Sequence, residues 1–142
     1  KAKVVDMAIK YTTQDSGDHL ILMVNQAILM PEMDHCLLCP MQCRMNGVEI
    51  HDIPKFFSPN PITSSHSIVI ADPSDEVRPY TIPLRLEGVV SYFVAHPPTS
   101  AEYEDESIPH YELTASGPDW NPYDPDFASQ EDSKLDFRGH HL

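Results

Sequence analysis

"YTTQDSGDHLILMV", Tyr11 to Val24, reads as a turn leading into a strand. Just before it, Val4 to Tyr11 alternates, with Val5, Met7, Ile9 and Tyr11 on one face and Asp6 and Lys10 on the other. That period of two is the pattern of a half-buried strand. "TTQDSGD" is dense in residues that bend the backbone. "HLILMV" is apolar without alternation, as a strand covered on both faces must be. Together they predict a β-hairpin in which Gly17 is free to take positive φ.

The chain continues in short pieces. "MPEMDH" turns it, and "LLCPMQCRMNG" is the best helix candidate. Pro40 suits the first helical position, Met41 and Met45 fall four apart on one side, and Gly47 can close a left-handed cap. "VEIHDI" alternates as a strand and stops at Pro54. After the Pro-rich connection "PKFFSPNPITSS", strands resume at "HSIVIA", His66 to Ala71, with "DPSDE" as a turn. "TIPLRLEG" sets Ile82, Leu84 and Leu86 opposite Arg85 and Glu87, and Pro83 marks an edge strand. "VVSYFV" follows Gly88 as one more strand.

From His96 onward the sequence is acidic, prolyl and poor in branched aliphatics. Such a segment buries too little apolar surface to offset the entropy of ordering, so it is expected to be largely disordered. Trp120, Tyr123 and Phe127 are its local docking points. No internal repeat is present.

Composition sets outer bounds. At 142 residues the chain is one domain long. A formal net charge of -13 excludes general binding to a phosphate backbone, so no direct nucleic-acid partner is expected. Fourteen Pro break the chain too often for long helices. Three Cys, all within "HCLLCPMQC", do not make an even disulfide set, and reduced intracellular thiols are expected. The apolar run Leu20 to Met30 is interrupted by Asn25 and Gln26 and is too short to span a membrane. The start at Lys1, with neither an initiator Met nor a signal-peptide core, reads as a piece of something longer.

"VNQAILMPEMDHCLLCPMQCRMNGVEI" resembles the protease segment of copia-type retrotransposon polyproteins. The features shared with that family fall on Ala27, Pro31, Leu37, Leu38, Pro40, Gln42, Gly47 and Val48. "PKFF", "HSI", "IPLRLEGVVSYF", "PPTSAEYE", "YELT" and "WNPYDPDFASQE" are similar to phrases that follow the protease in one branch of such polyproteins. The resemblance implies a retropepsin-like β fold for the first part of the chain. It also implies an aspartic endopeptidase as the parent, cutting its own polyprotein, with the catalytic Asp-Ser/Thr-Gly-Ala loop upstream of this chain.

Asp15-Ser16-Gly17 has the letters of that loop but not its context. An aspartic protease needs two carboxylates sharing a proton across a symmetric site. The residues after Gly17 are Asp18 and His19 instead of a small residue, and a second acid adds repulsion there. Between Gly17 and Leu37-Leu38 no room is left for a flap. The triplet is therefore read as a hairpin turn.

The remaining candidates have bland explanations. His35, Cys36, Cys39 and Cys43 could ligate zinc, but Cys-x2-Cys-x3-Cys matches no common zinc spacing, and free Cys commonly pack as small apolar residues. Asp119, Asn121, Asp124 and Asp126 are faintly like a calcium loop, yet Pro122 and Pro125 interrupt and the Gly is missing. The acids from Glu102 to Glu106 are expected to stay solvated. His66 in "SSHS" enters a strand with no Gly-x-Ser-x-Gly nearby, and His140-His141 is too short for a site.

The expectation is a mostly β chain: a partial retropepsin-like β fold with one short helix, extra strands, and an acidic, largely disordered tail. Its parts are 1–54 (protease-like), 55–95 (β extension) and 96–142 (linker). No residue is assigned a catalytic, cofactor-binding or metal role, and no cofactor is expected. Leu37, Leu38, Met41 and Ile50 are expected to pack behind the upstream catalytic loop. The expected partner is the missing N-terminal half of the protease, or a second copy in a homodimer, with no membrane and a cytoplasmic location. The alternatives are a stand-alone β-rich module whose acidic tail binds a basic protein, and a small zinc-binding protein.

Overall fold

The hairpin predicted around Gly17 organises the molecule. In the computed structural model, which describes residues 3–72 and 75–142, β1 (Lys3–Thr12) and β2 (His19–Leu29) pair antiparallel from Thr12↔His19 to Lys3↔Leu29. Leu20, Ile21 and Leu22 are consecutive and all fully buried. Neighbouring strand residues point to opposite faces, so both faces of β2 are covered there. The register shifts between Val5 and Met7, and opposite this irregularity Gln26 adopts φ +54°. The Gln26 N–H donates to the Asp6 carboxylate at 3.0 Å, which holds the bulge in place.

The other edge of β2 corrects the expectation of a largely disordered tail. β8 (His110–Thr114) lies parallel to β2, from Ile21↔His110 to Val24↔Thr114. Tyr111, Leu113 and Thr114 are buried. Thr114 donates its hydroxyl to the Asn25 carbonyl at 2.7 Å, and the Asn25 amide donates to the Thr114 carbonyl at 3.0 Å. The alternation Tyr111–Leu113 is a strand signal that the acidic, Pro-rich surroundings outweigh on average. Two short helices belong to the same segment, α2 (Ser100–Glu104) and α3 (Asp126–Asp132). The α2 start is a capping box between Thr99 and Glu102.

Helix α1 (Pro40–Met45) starts with Pro40 in its first turn, and Gly47 follows it at φ +79°. The helix packs through Cys43, which is fully buried. Leu37 is 72% exposed and Met41 45% exposed. Leu38 and Ile50 do join the core. With Cys43 inward, its neighbours two positions away are rotated out toward solvent.

A second sheet carries β3 (Glu49–His51), β4 (Ser67–Asp72) and β5 (Asp75–Pro83), antiparallel in that order. Pro83 ends β5, an edge strand. The continuous run expected through Pro83 breaks at Leu84, whose N–H donates to the His66 carbonyl at 2.9 Å. β6 (Arg85–Glu87) then turns through Gly88 into β7 (Val90–Tyr92). The turn expected at "DPSDE" includes 73–74, outside the described residues. One core cluster contains Tyr11, Leu22 and Cys43 from the first third of the chain, Ile68 and Ile82 from the middle, and Leu113 from the last. The fold is mostly β, and no described helix is long and apolar enough to cross a membrane.

Candidate functional site

Asp15 sits in a closed turn. The Thr13 N–H donates to the Asp18 carbonyl at 2.8 Å and the Gly17 N–H to the Thr13 carbonyl at 3.1 Å. Ser16 donates its hydroxyl to the Asp18 carboxylate at 2.8 Å. Asp15 accepts the Ser16 N–H at 2.8 Å, and Gly17 takes φ +70°. The Asp15, Ser16 and Asp18 side chains bond within the turn itself, and residues 14–19 are all exposed. The triplet builds the hairpin.

Gln26 bridges β2 to the segment after β8. Its amide donates to the carbonyls of Ala115 at 2.8 Å and Pro118 at 3.1 Å, and its side-chain oxygen accepts the Trp120 N–H. Gln42 of α1 donates to the carbonyls of Asn25 and Gln26, each at 3.3 Å. Asn46 donates to the Glu112 carbonyl at 2.8 Å, tying α1 to β8. Beside this junction lies a cavity of about 250 Å³, walled by Gln26, Gln42, Trp120 and Phe127. The Trp120 and Phe127 rings meet at 5.4 Å, tilted by 43°, whereas Tyr123 stands 90% exposed. The resemblance singles out Gln42 but not Gln26. The sequence does carry a signal for Gln26, since Asn25-Gln26 is the only polar interruption between Leu20 and Met30.

Asp119, Asn121, Asp124 and Asp126 all line that cavity. Two of them turn an oxygen to the local backbone: Asn121 accepts the Tyr123 N–H at 3.0 Å and Asp124 accepts the Asp126 N–H at 2.9 Å. Cys36 and Cys39 are exposed while Cys43 is buried, so the residues of the zinc reading face different environments. Burial, and then the neighbouring Cys39, push the Cys43 thiol up to about 11. Among the described residues no three His, Cys, Asp or Glu side chains stand together as a metal site.

His66 and Ser91 come together across 25 residues, His Nε2 to Ser Oγ at 2.7 Å. His66 is buried at φ +53°, a backbone strained for a non-glycine residue. The contact joins the start of β4 to β7, and Ser91 lines neither this cavity nor the one beside Tyr11, leaving its hydroxyl no substrate space there. Among the acids from Glu102 to Glu106, Glu102 pairs with Lys10 at 2.7 Å. That hydrogen bond, with those from Thr99, holds its carboxyl at about 2. Asp105 is held below the ordinary carboxylate range by Ser107, whose hydroxyl and N–H it accepts. These are ionised structural carboxylates. His140 approaches Asp136 at 3.8 Å on the surface, and His141 bridges to Leu135.

No family model, no curated protein and no solved structure matches the chain.

Proposed function

We propose that this chain is a non-catalytic stretch of a copia-type polyprotein, running from the aspartic-protease region toward integrase. Its role is to supply β structure behind a catalytic loop located upstream. The observation that carries the reading is the anchoring of α1 on β2. Gln42, named by the resemblance, spans the Asn25 and Gln26 carbonyls, and Pro40 and Gly47 mark the two ends of the helix. Of the residues that carry the resemblance, Gln42 is the one whose side chain ties helix to hairpin.

The partner on this reading is the preceding half of the protease, or a second copy, in the cytoplasm of the host cell. Val4 and Ile28 support it: they pair at the open end of the hairpin, on one face, and both are exposed. Apolar groups gathered in that way are the kind of surface a partner covers.

The test begins with the transcript upstream of Lys1, read over about 100 codons, one small domain. An in-frame Asp-Ser/Thr-Gly-Ala is expected. The joined protein should then cleave peptides from its own polyprotein, lose that activity when the upstream Asp becomes Asn, and keep it in Asp15→Asn. Loss of cleavage in Asp15→Asn, or no upstream motif, overturns the reading. The second reading, a module for a basic partner, draws on the exposed acids Glu104, Glu106, Glu131 and Asp132. It requires an association that weakens steeply with salt.

A further inference from the structure

The cavity of about 250 Å³ beside Gln26 has two kinds of wall. Trp120, Phe127, Met45 and Pro118 supply apolar surface, and the two rings, 5.4 Å apart and tilted by 43°, are both partly exposed. Asp119, Asp124 and Asp126 supply charge, and among the described residues no Lys, Arg or His lines the cavity. None of these three carboxylates is held in an ion pair among the described residues. The cation of α1, Arg44, is directed instead to the Ile50 carbonyl at 2.8 Å and to Asp52 at 3.3 Å. An aspartate side chain is short, so its charge stays close to the wall whichever of its atoms forms it. That is well inside the ~8 Å over which physiological salt screens exposed charges.

We propose that this cavity receives the side chain of an arginine on a basic partner, its guanidinium against the aromatic wall and its charge matched by the three aspartates. An anion would be repelled there, and a neutral group would leave the carboxylates without a counter-charge. A metal ion is the other cation to weigh, but among the described residues no three His, Cys, Asp or Glu side chains stand together to hold one. The negative charge is therefore spread along the wall, and a spread of acceptors suits an extended cation better than a point charge. Guanidinium is planar, carries five donors and stacks on aromatic faces, whereas the lysine ammonium is compact and strongly hydrated. The aliphatic stem of an arginine has Met45 and Pro118 to lie against. The volume suits one side chain, since sites for drug-sized ligands run to ~300–1,000 Å³. This chemistry does not depend on where the chain comes from, so the absence of an upstream protease motif would leave it standing.

Trp120 is the only tryptophan in the sequence, so its fluorescence reports on this wall alone. The test is a titration of the full chain at low salt with N-acetyl-arginine amide, beside its neutral isostere N-acetyl-citrulline amide and N-acetyl-lysine amide. A saturable change in emission is expected with the arginine probe, with Kd on the order of 1 mM, as ligands of fragment size reach. The citrulline probe should bind about fivefold more weakly and the lysine probe about twofold. Asp119 and Asp126 are exposed, and their side chains make no hydrogen bond among the described residues. Asp119→Asn with Asp126→Asn should therefore leave the fold intact and weaken arginine binding about fivefold. Glu104→Gln with Glu106→Gln removes the same charge from the exposed segment of α2, which is tethered to Lys10, and should leave the affinity unchanged. No saturable change, citrulline or lysine binding as tight as arginine, or equal losses in the two double variants would each overturn the proposal. The last is what attraction to the net charge of -13 alone predicts.

Discussion

Two hairpins in this chain turn through a glycine at positive φ, Gly17 at +70° and Gly88 at +62°, and both have alternating or apolar arms. In the first, β2 is sandwiched between β1 and β8, and Leu20, Ile21 and Leu22 are withdrawn from water altogether. In the second, β6 and β7 pair only with each other, and Leu86, Val89 and Val90 remain exposed. The local signals are alike; the difference comes from what lies across each face. An isolated two-stranded ribbon is marginal in water, whereas a third strand and a covered face make the first hairpin part of a core.

Truncation of buried side chains breaks that contrast most sharply. Leu22→Ala and Leu113→Ala should each cost about 2–5 kcal/mol in urea unfolding, through lost transfer energy and the cavity left behind. Val90→Ala should fall within about 0.5 kcal/mol, as exposed substitutions do. A comparable cost at Val90 would mean that the second hairpin belongs to the core after all.

The two glycines give a finer comparison. At either position the space a methyl group would fill has no neighbour within 4 Å, so an added Cβ meets no clash and only the backbone penalty remains. Gly17→Ala should lower global stability by about 1–2 kcal/mol, the cost of a left-handed alanine. Gly88→Ala carries the same penalty locally and should appear as faster amide exchange in β6 and β7, with the global midpoint little changed.

The smallest effect concerns the tether from Lys10 of the first hairpin to Glu102. The carboxyl lies at about 2 in the folded chain against an ordinary 4.5, chiefly through its hydrogen bond from Lys10. As pH falls, the unfolded chain takes up this proton first. The contribution is therefore full above about 4.5 and is lost as pH drops toward 2. Glu102→Gln should lie slightly below the parent chain on the neutral plateau and meet it as pH falls toward 2, flattening the profile across that window, which unfolding midpoints at several pH values will read.

Much of this arrangement is legible in the residues. The period of two before Tyr11, the unbroken "HLILMV" and the Pro40 and Gly47 boundaries lead to the first hairpin and α1, because each depends on neighbours in sequence. β8 is not legible, because its pairing is set by a strand some 90 residues earlier and its own stretch of five residues is outweighed by acidic flanks. Which face of α1 turns inward is decided by the sheets as well, which bury Cys43 and leave Met41 exposed. The Asp15 turn follows from its letters and spacing. The Tyr11 cavity does not, for its walls come from segments that meet only in three dimensions.

The pairing of β2 with β8 also imposes an order of events on the ribosome. Asn25 and its hydrogen-bond partner Thr114 are 89 residues apart. At the usual ~5–20 residues per second, about 5 to 20 seconds separate their synthesis. Throughout that interval the nascent hairpin carries an open edge beside its most apolar strand, with the Asn25 side-chain amide still waiting for the Thr114 carbonyl. A cell that makes this chain must therefore shield a half-finished sheet from its neighbours until the last quarter of the sequence arrives to close it.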